Sequence, residues 1–204
     1  LPEAGQGRPV FGLQAGRGEG DADTEIDDHS GAQDGHADCV RHLLHAGASC
    51  TLRTRIGEDS ETGDTAAFFA ARCGSRECLE LLLKKNEDER KSSAVESIVD
   101  DPMVLAQAVF YGFTDCVKLL LYHKASPHVI QPRGRGKGRT HLMVAAQRGY
   151  DAVLSVLIDA IPMAELKERL DERTSPEDLK RSALIFATQR GHNTCVSVLA
   201  EAKA

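Results

Sequence analysis

The sequence predicts an all-α fold of stacked helix-turn-helix units, and three observations carry that expectation. A short motif recurs: Gly, three residues, Cys or Val, then Val or Leu, then an aliphatic cluster. It stands at Gly35 with Cys39, Val40 and Leu43; at Gly74 with Cys78, Leu79 and Leu82; at Gly112 with Cys116, Val117 and Leu120; at Gly149 with Val153, Leu154 and Leu157; and at Gly191 with Cys195, Val196 and Leu199. The glycines are 39, 38, 37 and 42 residues apart, the period of an array in which each unit buries its apolar face on its neighbours. Composition agrees: 41% of the 204 residues are hydrophobic but only 4% are aromatic and Trp is absent, so the core has to be aliphatic and alanine-rich.

Within a unit, the stretch before each of the last four glycines reads as a helix of small residues. Thr140 to Arg148 is an example, with Ala145 and Ala146 letting a neighbouring helix approach closely. After the glycine, residues such as Cys116, Val117, Leu119, Leu120 and Leu121 form an apolar face at helical spacing. The first copy is the weakest, because Ile26 to Gly31 is too polar to be buried on both sides. It is expected to be a capping unit or a truncated one. Residues 1–24, with six glycines and clustered acids, are expected to be a flexible segment outside the folded domain.

These units resemble ankyrin repeats. The family's Thr-led first helix, Gly turn, aliphatic second helix and closing Gly-Ala are matched by Thr65 to Leu83, by Thr140 to Ile158 and, at the close of the first copy, by Leu43 to Ala48. The resemblance implies a single ankyrin-repeat solenoid over 25–204, with finger loops and units near 25–52, 63–90, 101–128, 138–161 and 181–204. The family's Thr-Pro-Leu-His opening is altered: its Pro and its bonding His are absent from the stretches beginning at Thr65, Met103, Thr140 and Ser182. That opening's hydrogen bonds between units are therefore in question, while the stacking is not. Since such units are about 33 residues long, each junction carries an insertion. Arg53 to Gly63 reads as a polar finger. Ser93 to Glu96 reads as a capping box opening an added helical turn. The longest, 162–180, reads as a charged helix from Pro162 to about Asp171 in which Glu165 and Arg169 pair, followed by a second helix start at Ser175.

Charge is uneven. Residues 1–38 hold two basic side chains against nine acidic ones, whereas Cys116 to Tyr150 holds seven Lys or Arg and no acid, within a chain of net charge -6. No apolar run approaches the roughly 20 residues of a membrane span. Residues 1–20 lack the order of a signal peptide and the chain opens without Met, so an excerpt of a longer protein is expected. The six cysteines then point to a reduced cytoplasmic setting, with a nuclear one as the alternative. Four of them, Cys39, Cys78, Cys116 and Cys195, share one repeat position and are expected to be buried as small hydrophobes. Cys73, beside a turn, is expected to be exposed. Cys50 carries no signal.

Enzymatic and metal chemistry find no support in the residues. His36, Cys39, His42 and His45 recur every third residue, and at 100° per residue they spread over half a helix circumference and cannot converge on one ion. Asp21 to Glu25 mimics the start of a calcium loop, but Ile26 and Ala32 stand where Gly and Glu are needed. Gly134 to Gly138 lacks the spacing of a phosphate loop. No cofactor, no metal and no catalysis are expected.

In the resembling family the stack has one concave face, lined by finger tips and by the two residues before each turn glycine. Here those pairs are Gln33 and Asp34, Arg72 and Cys73, Phe110 and Tyr111, Gln147 and Arg148, and Gln189 and Arg190. Phe110 and Tyr111 stand out, because aromatics are enriched at binding hot spots. The competing reading is that the insertion from Lys91 to Asp101 folds over them. Arg133, Arg135, Lys137 and Arg139 make the finger into the fourth unit basic. The finger reads either as a solvated loop or as a site for an acidic protein segment, while four charges without interleaved aromatics would hold nucleic acid weakly. The resemblance thus implies a protein-binding scaffold or adaptor, with a regulatory arm of an enzyme such as a protein kinase as the alternative.

Overall fold

The computed structural model describes residues 33–51, 64–92, 95–130, 138–174 and 181–202. These residues form α1 (Gln33–His45), α2 (Ala66–Cys73), α3 (Arg76–Ser92), a 3-10 turn (Ile98–Asp100), α4 (Pro102–Tyr111), α5 (Thr114–Tyr122), α6 (His141–Arg148), α7 (Asp151–Ala160), α8 (Met163–Asp171), α9 (Ala183–Arg190) and α10 (Asn193–Glu201). One layer is α2, α4, α6 and α9, each packed on the next. The other is α1, α3, α5, α7 and α10, and each helix of the first layer also packs on the helix that follows it in the chain. The helices before the glycines are pressed from both sides, so they are short and rich in small buried residues: Ala67, Ala70, Ala71, Ala106, Ala108, Ala145, Ala146 and Ala187. The helices after the glycines bury one aliphatic face, as Val117 and Leu120 do in α5 and Val153, Leu154 and Leu157 in α7.

Local chemistry fixes where these helices start and stop. The buried hydroxyls of Thr65 and Thr140 accept from the amides of Phe68 (3.2 Å) and Met143 (3.3 Å), each satisfying a donor of the first turn. Asp101 does the same for Met103 at 2.9 Å, with Pro102 at the first helical position. At the other end Gly74, Gly112, Gly149 and Gly191 adopt φ of 71°, 80°, 79° and 73°. The amide that follows each one reaches back to an orphaned carbonyl: Ser75 to Ala70, Phe113 to Ala108, Tyr150 to Ala145 and His192 to Ala187, at 2.9–3.1 Å. The ring after one glycine then covers the glycine of the unit before. A methyl group on Gly74 would stand 2.5 Å from the Phe113 ring, on Gly112 2.9 Å from that of Tyr150, and on Gly149 2.6 Å from that of His192.

The first copy departs from its expected form. Gly35 is not a turn residue but lies inside α1, which runs unbroken from Gln33, so Gln33 and Asp34 open a helix instead of preceding a turn. Helical periodicity carries the chain through, and a glycine inside a helix costs only about 1 kcal/mol. Ala37 and Val40 are buried where α1 meets α3. Cys39, expected to be buried, is exposed. It stands one residue from Val40, about 100° around the helix, and among the described residues no first helix of its own unit precedes it. Residues 1–32, including the segment from Ile26 to Gly31, lie outside the described residues.

Of the insertions, the finger from Arg53 to Gly63 and the helix start at Ser175 also lie outside the described residues, as do Ser93 and Ala94. The added helical turn comes at Ile98–Asp100, after Glu96, and the Ser93 half of the expected capping box lies outside the described residues. Buried Asn86 ties this stretch to α3, donating to the Glu96 carbonyl (2.9 Å) and accepting from the Ile98 amide (3.1 Å). The charged helix expected after Pro162 is α8. It docks through buried Leu166 and Leu170, and Arg169 pairs with Glu165 at 3.2 Å. Two histidines that do not stand at the family's His position bond between units: His141 Nδ1, second in its opening, donates to the Pro127 carbonyl and His192 Nε2 to that of Gln147, both at 3.1 Å.

Candidate functional site

The turn ends of α4, α6 and α9 frame a cleft of about 510 Å³ lined by Phe110, Arg139, Gln147, Arg148, Arg190 and His192. Each lining group is placed by the repeat. Arg139 precedes the Thr140 cap, runs along α6 and donates to Gln147 Oε1 at 2.6 Å, while its guanidinium lies 5.1 Å from the centre of the Phe186 ring. Arg148, the last residue of α6, lies 3.9 Å over the Phe110 ring. Arg190 ends α9 in the same register and is exposed. His192 satisfies the Gln147 carbonyl, one of the orphaned acceptors at the end of α6. The fifth unit repeats the device: Arg181 donates to Gln189 Oε1 at 3.4 Å, and its guanidinium lies 5.3 Å from the centre of the Phe186 ring.

Five of the residues singled out in the sequence, Phe110, Arg139, Gln147, Arg148 and Arg190, thus come together. The lining among the described residues carries three guanidinium groups and no carboxylate. Phe110 differs from its expectation. It is only 9% exposed, and Arg148 of the next unit lies over its ring. Tyr111, at 40%, is the exposed member of the pair and stacks on Phe113 with ring centres 6.2 Å apart. Arg72 and Cys73 are exposed at the end of α2, away from the cleft, and Gln189 is exposed on α9. Arg133, Arg135 and Lys137 lie outside the described residues, although the two ends of their finger are joined by a bridge between Ile130 and Thr140.

Sequence reasoning missed His192, Arg181 and Phe186. A signal for the arginine was available: Arg139 and Gln147 in one unit, and Arg181 and Gln189 in the next, stand eight residues apart, each Gln followed by Arg and Gly.

The thiols divide by exposure. Cys39 and Cys73 are exposed, whereas Cys50, Cys78, Cys116 and Cys195 are buried and all six are free. Burial pushes the Cys116 thiol up to about 11, and burial together with the hydrogen bond to Glu89 pushes Cys50 up to about 12. Burial also raises Cys78 and Cys195. Since the thiolate is the reactive form, Cys39 and Cys73 should be labelled first and the other four only on unfolding. Mass spectrometry after a short pulse of alkylating reagent checks this, and early modification of Cys116 or Cys195 would contradict the packing.

No helix among the described residues is long and apolar enough to cross a membrane. A comparison with curated proteins gave no match. The family profile described as ankyrin repeats (three copies) matches residues 29–129 and again 105–204. Ankyrin repeats are generally protein-protein interaction modules. With the profile spanning nearly the whole described fold, and with the glycine turns and paired helix layers in register, this chain belongs to the ankyrin-repeat family.

Proposed function

We propose that the chain is a non-catalytic protein-binding module whose cleft across the last three units takes an acidic segment of its partner. The observation that carries this is the convergence of Arg139, Arg148 and Arg190 on a cleft lined by no carboxylate among the described residues. The arginines are partly pre-ordered, Arg139 by Gln147 and Arg148 by Phe110, so binding loses less side-chain freedom there than on an open surface. The basic finger from Arg133 to Lys137 adds steering charge that acts over about 8–10 Å at physiological salt. A scaffold or adaptor uses such a cleft, and so does a regulatory arm of an enzyme.

A partner recovered by affinity capture would be titrated at low and high salt. Changing Arg148 and Arg190 together to Ala should weaken binding about tenfold or more, about 1.4 kcal/mol. Changing Arg133, Arg135 and Lys137 to Ala should mainly slow association. Equal affinity for wild type and both variants would put the binding surface elsewhere.

A further inference from the structure

We infer that the cleft receives the phosphate of a phosphorylated side chain on the bound segment, an inference that rests on the proposal that this face binds a partner's peptide. Charge count is the first argument. A carboxylate brings one negative charge and two oxygens, which one guanidinium fork satisfies, whereas a phosphate monoester brings about -1.5 to -2 at neutral pH and three strong acceptor oxygens. Arg148 and Arg190 bring two guanidinium groups to this cleft, beside the Arg139 that Gln147 holds. A single carboxylate would satisfy one of the two.

Placement is the second argument. Arg148 and Arg190 hold the same register at the ends of neighbouring helices α6 and α9, whose axes are about 8–10 Å apart by ordinary helix packing. Side chains reaching inward from two such points can close on one tetrahedral anion. Arg148, lying over Phe110, keeps the edge of its guanidinium for acceptors in its plane. Arg139 is held by Gln147, and the Gln147 backbone is in turn held by His192.

Other anionic partners fit less well. Nucleic acid would need exposed rings for base stacking, but Phe110 lies under Arg148, and Phe186 is buried with Arg139 and Arg181 against it. A membrane surface would need apolar side chains beside the basic groups. The exposed large hydrophobics among the described residues, from Tyr111 to Ile185, do not line the cleft.

The test uses the full chain and three matched pools of short degenerate peptides whose central residue is phosphoserine, aspartate or serine. Binding is followed by fluorescence anisotropy. The phosphoserine pool should bind at least tenfold tighter than the aspartate pool. Arg190→Gln should remove most of that difference while changing aspartate binding less than twofold, and Arg190→Lys should restore part of it. Inorganic phosphate, added alone, should shift the side-chain NMR signals of Arg148 and Arg190. Arg190 is exposed and packs on no ring among the described residues, so its substitution is expected to leave the fold intact, which helical circular dichroism checks. Equal affinity for phosphoserine and aspartate pools, both weakened by Arg190→Gln, would overturn the phosphate inference and leave the acidic-segment proposal standing. Phosphoserine binding untouched by Arg190→Gln and by Arg148→Gln would overturn both. Tighter binding to phosphoinositide vesicles or single-stranded RNA, with the same arginine dependence, would overturn the assignment to a peptide.

Discussion

Replacing Gly149 by Val is expected to destabilise the chain by about 3 kcal/mol or more, the sum of two separable costs. The backbone stands at φ 79°, where a residue with a side chain loses about 1–2 kcal/mol and a β-branched one more. The added carbon would also stand 2.6 Å from Nδ1 and 2.8 Å from Cε1 of His192. That ring cannot swing away freely, since its Nε2 donates to the Gln147 carbonyl at 3.1 Å, and losing that bond costs about 1 kcal/mol on top of the overpacking. Gly191 separates the terms. It has φ 73° but nothing within 4 Å of an added carbon, so Gly191→Ala should show the backbone cost alone and Gly149→Ala both. Urea unfolding followed by circular dichroism reads the midpoints. If the two alanine variants lose equal stability, the ring of the fifth unit does not hold the turn of the fourth.

What the sequence made legible was whatever the repeat period constrains. Four turn glycines, the threonine caps and the Glu165 to Arg169 pair of α8 were readable because each depends on neighbours within one or two turns of chain. The first copy misled for the same reason. A Gly followed by Cys, Val and Leu looks alike whether the glycine ends one helix or sits inside another, and in α1 it is Val40 that is buried while Cys39, one residue round the helix, is exposed. The cleft was legible as a register and not as a site. That Phe110 would be roofed by Arg148, 38 positions later, or that Arg139 would reach along α6 to Gln147, depends on packing between units. His192 follows a turn glycine, and that position places it on the glycine of the unit before and against the cleft.

The same contrast marks His141, whose position next to the Thr140 cap predicted nothing about its charge, and whose burial makes the stack sensitive to acid. Its ring is fully buried, Nδ1 donates to the Pro127 carbonyl at 3.1 Å, and Nε2 has no partner among the described residues. Burial, with a smaller opposing effect of that hydrogen bond and a further push from nearby His128, lowers its pKa from the usual 6.5 to about 4. His128 is itself lowered by burial, against the pull of Glu172 at 2.9 Å, and so acts in the same direction. Between about pH 6.5 and pH 4 the unfolded chain therefore binds a proton that the folded chain refuses. Stability from this group is complete above the unfolded value and is lost as pH falls towards 4, a loss of about 3 kcal/mol at 1.36 kcal/mol per unit. His141→Gln keeps a donor for the Pro127 carbonyl but does not titrate. Urea midpoints of the two proteins should lie close at pH 7.5 and diverge at pH 4.5, with the variant the less acid-sensitive, while the carboxylates common to both cancel in the comparison. Parallel loss of stability in both proteins would mean that His141 takes up its proton without disturbing the packing of α6 between α4 and α9.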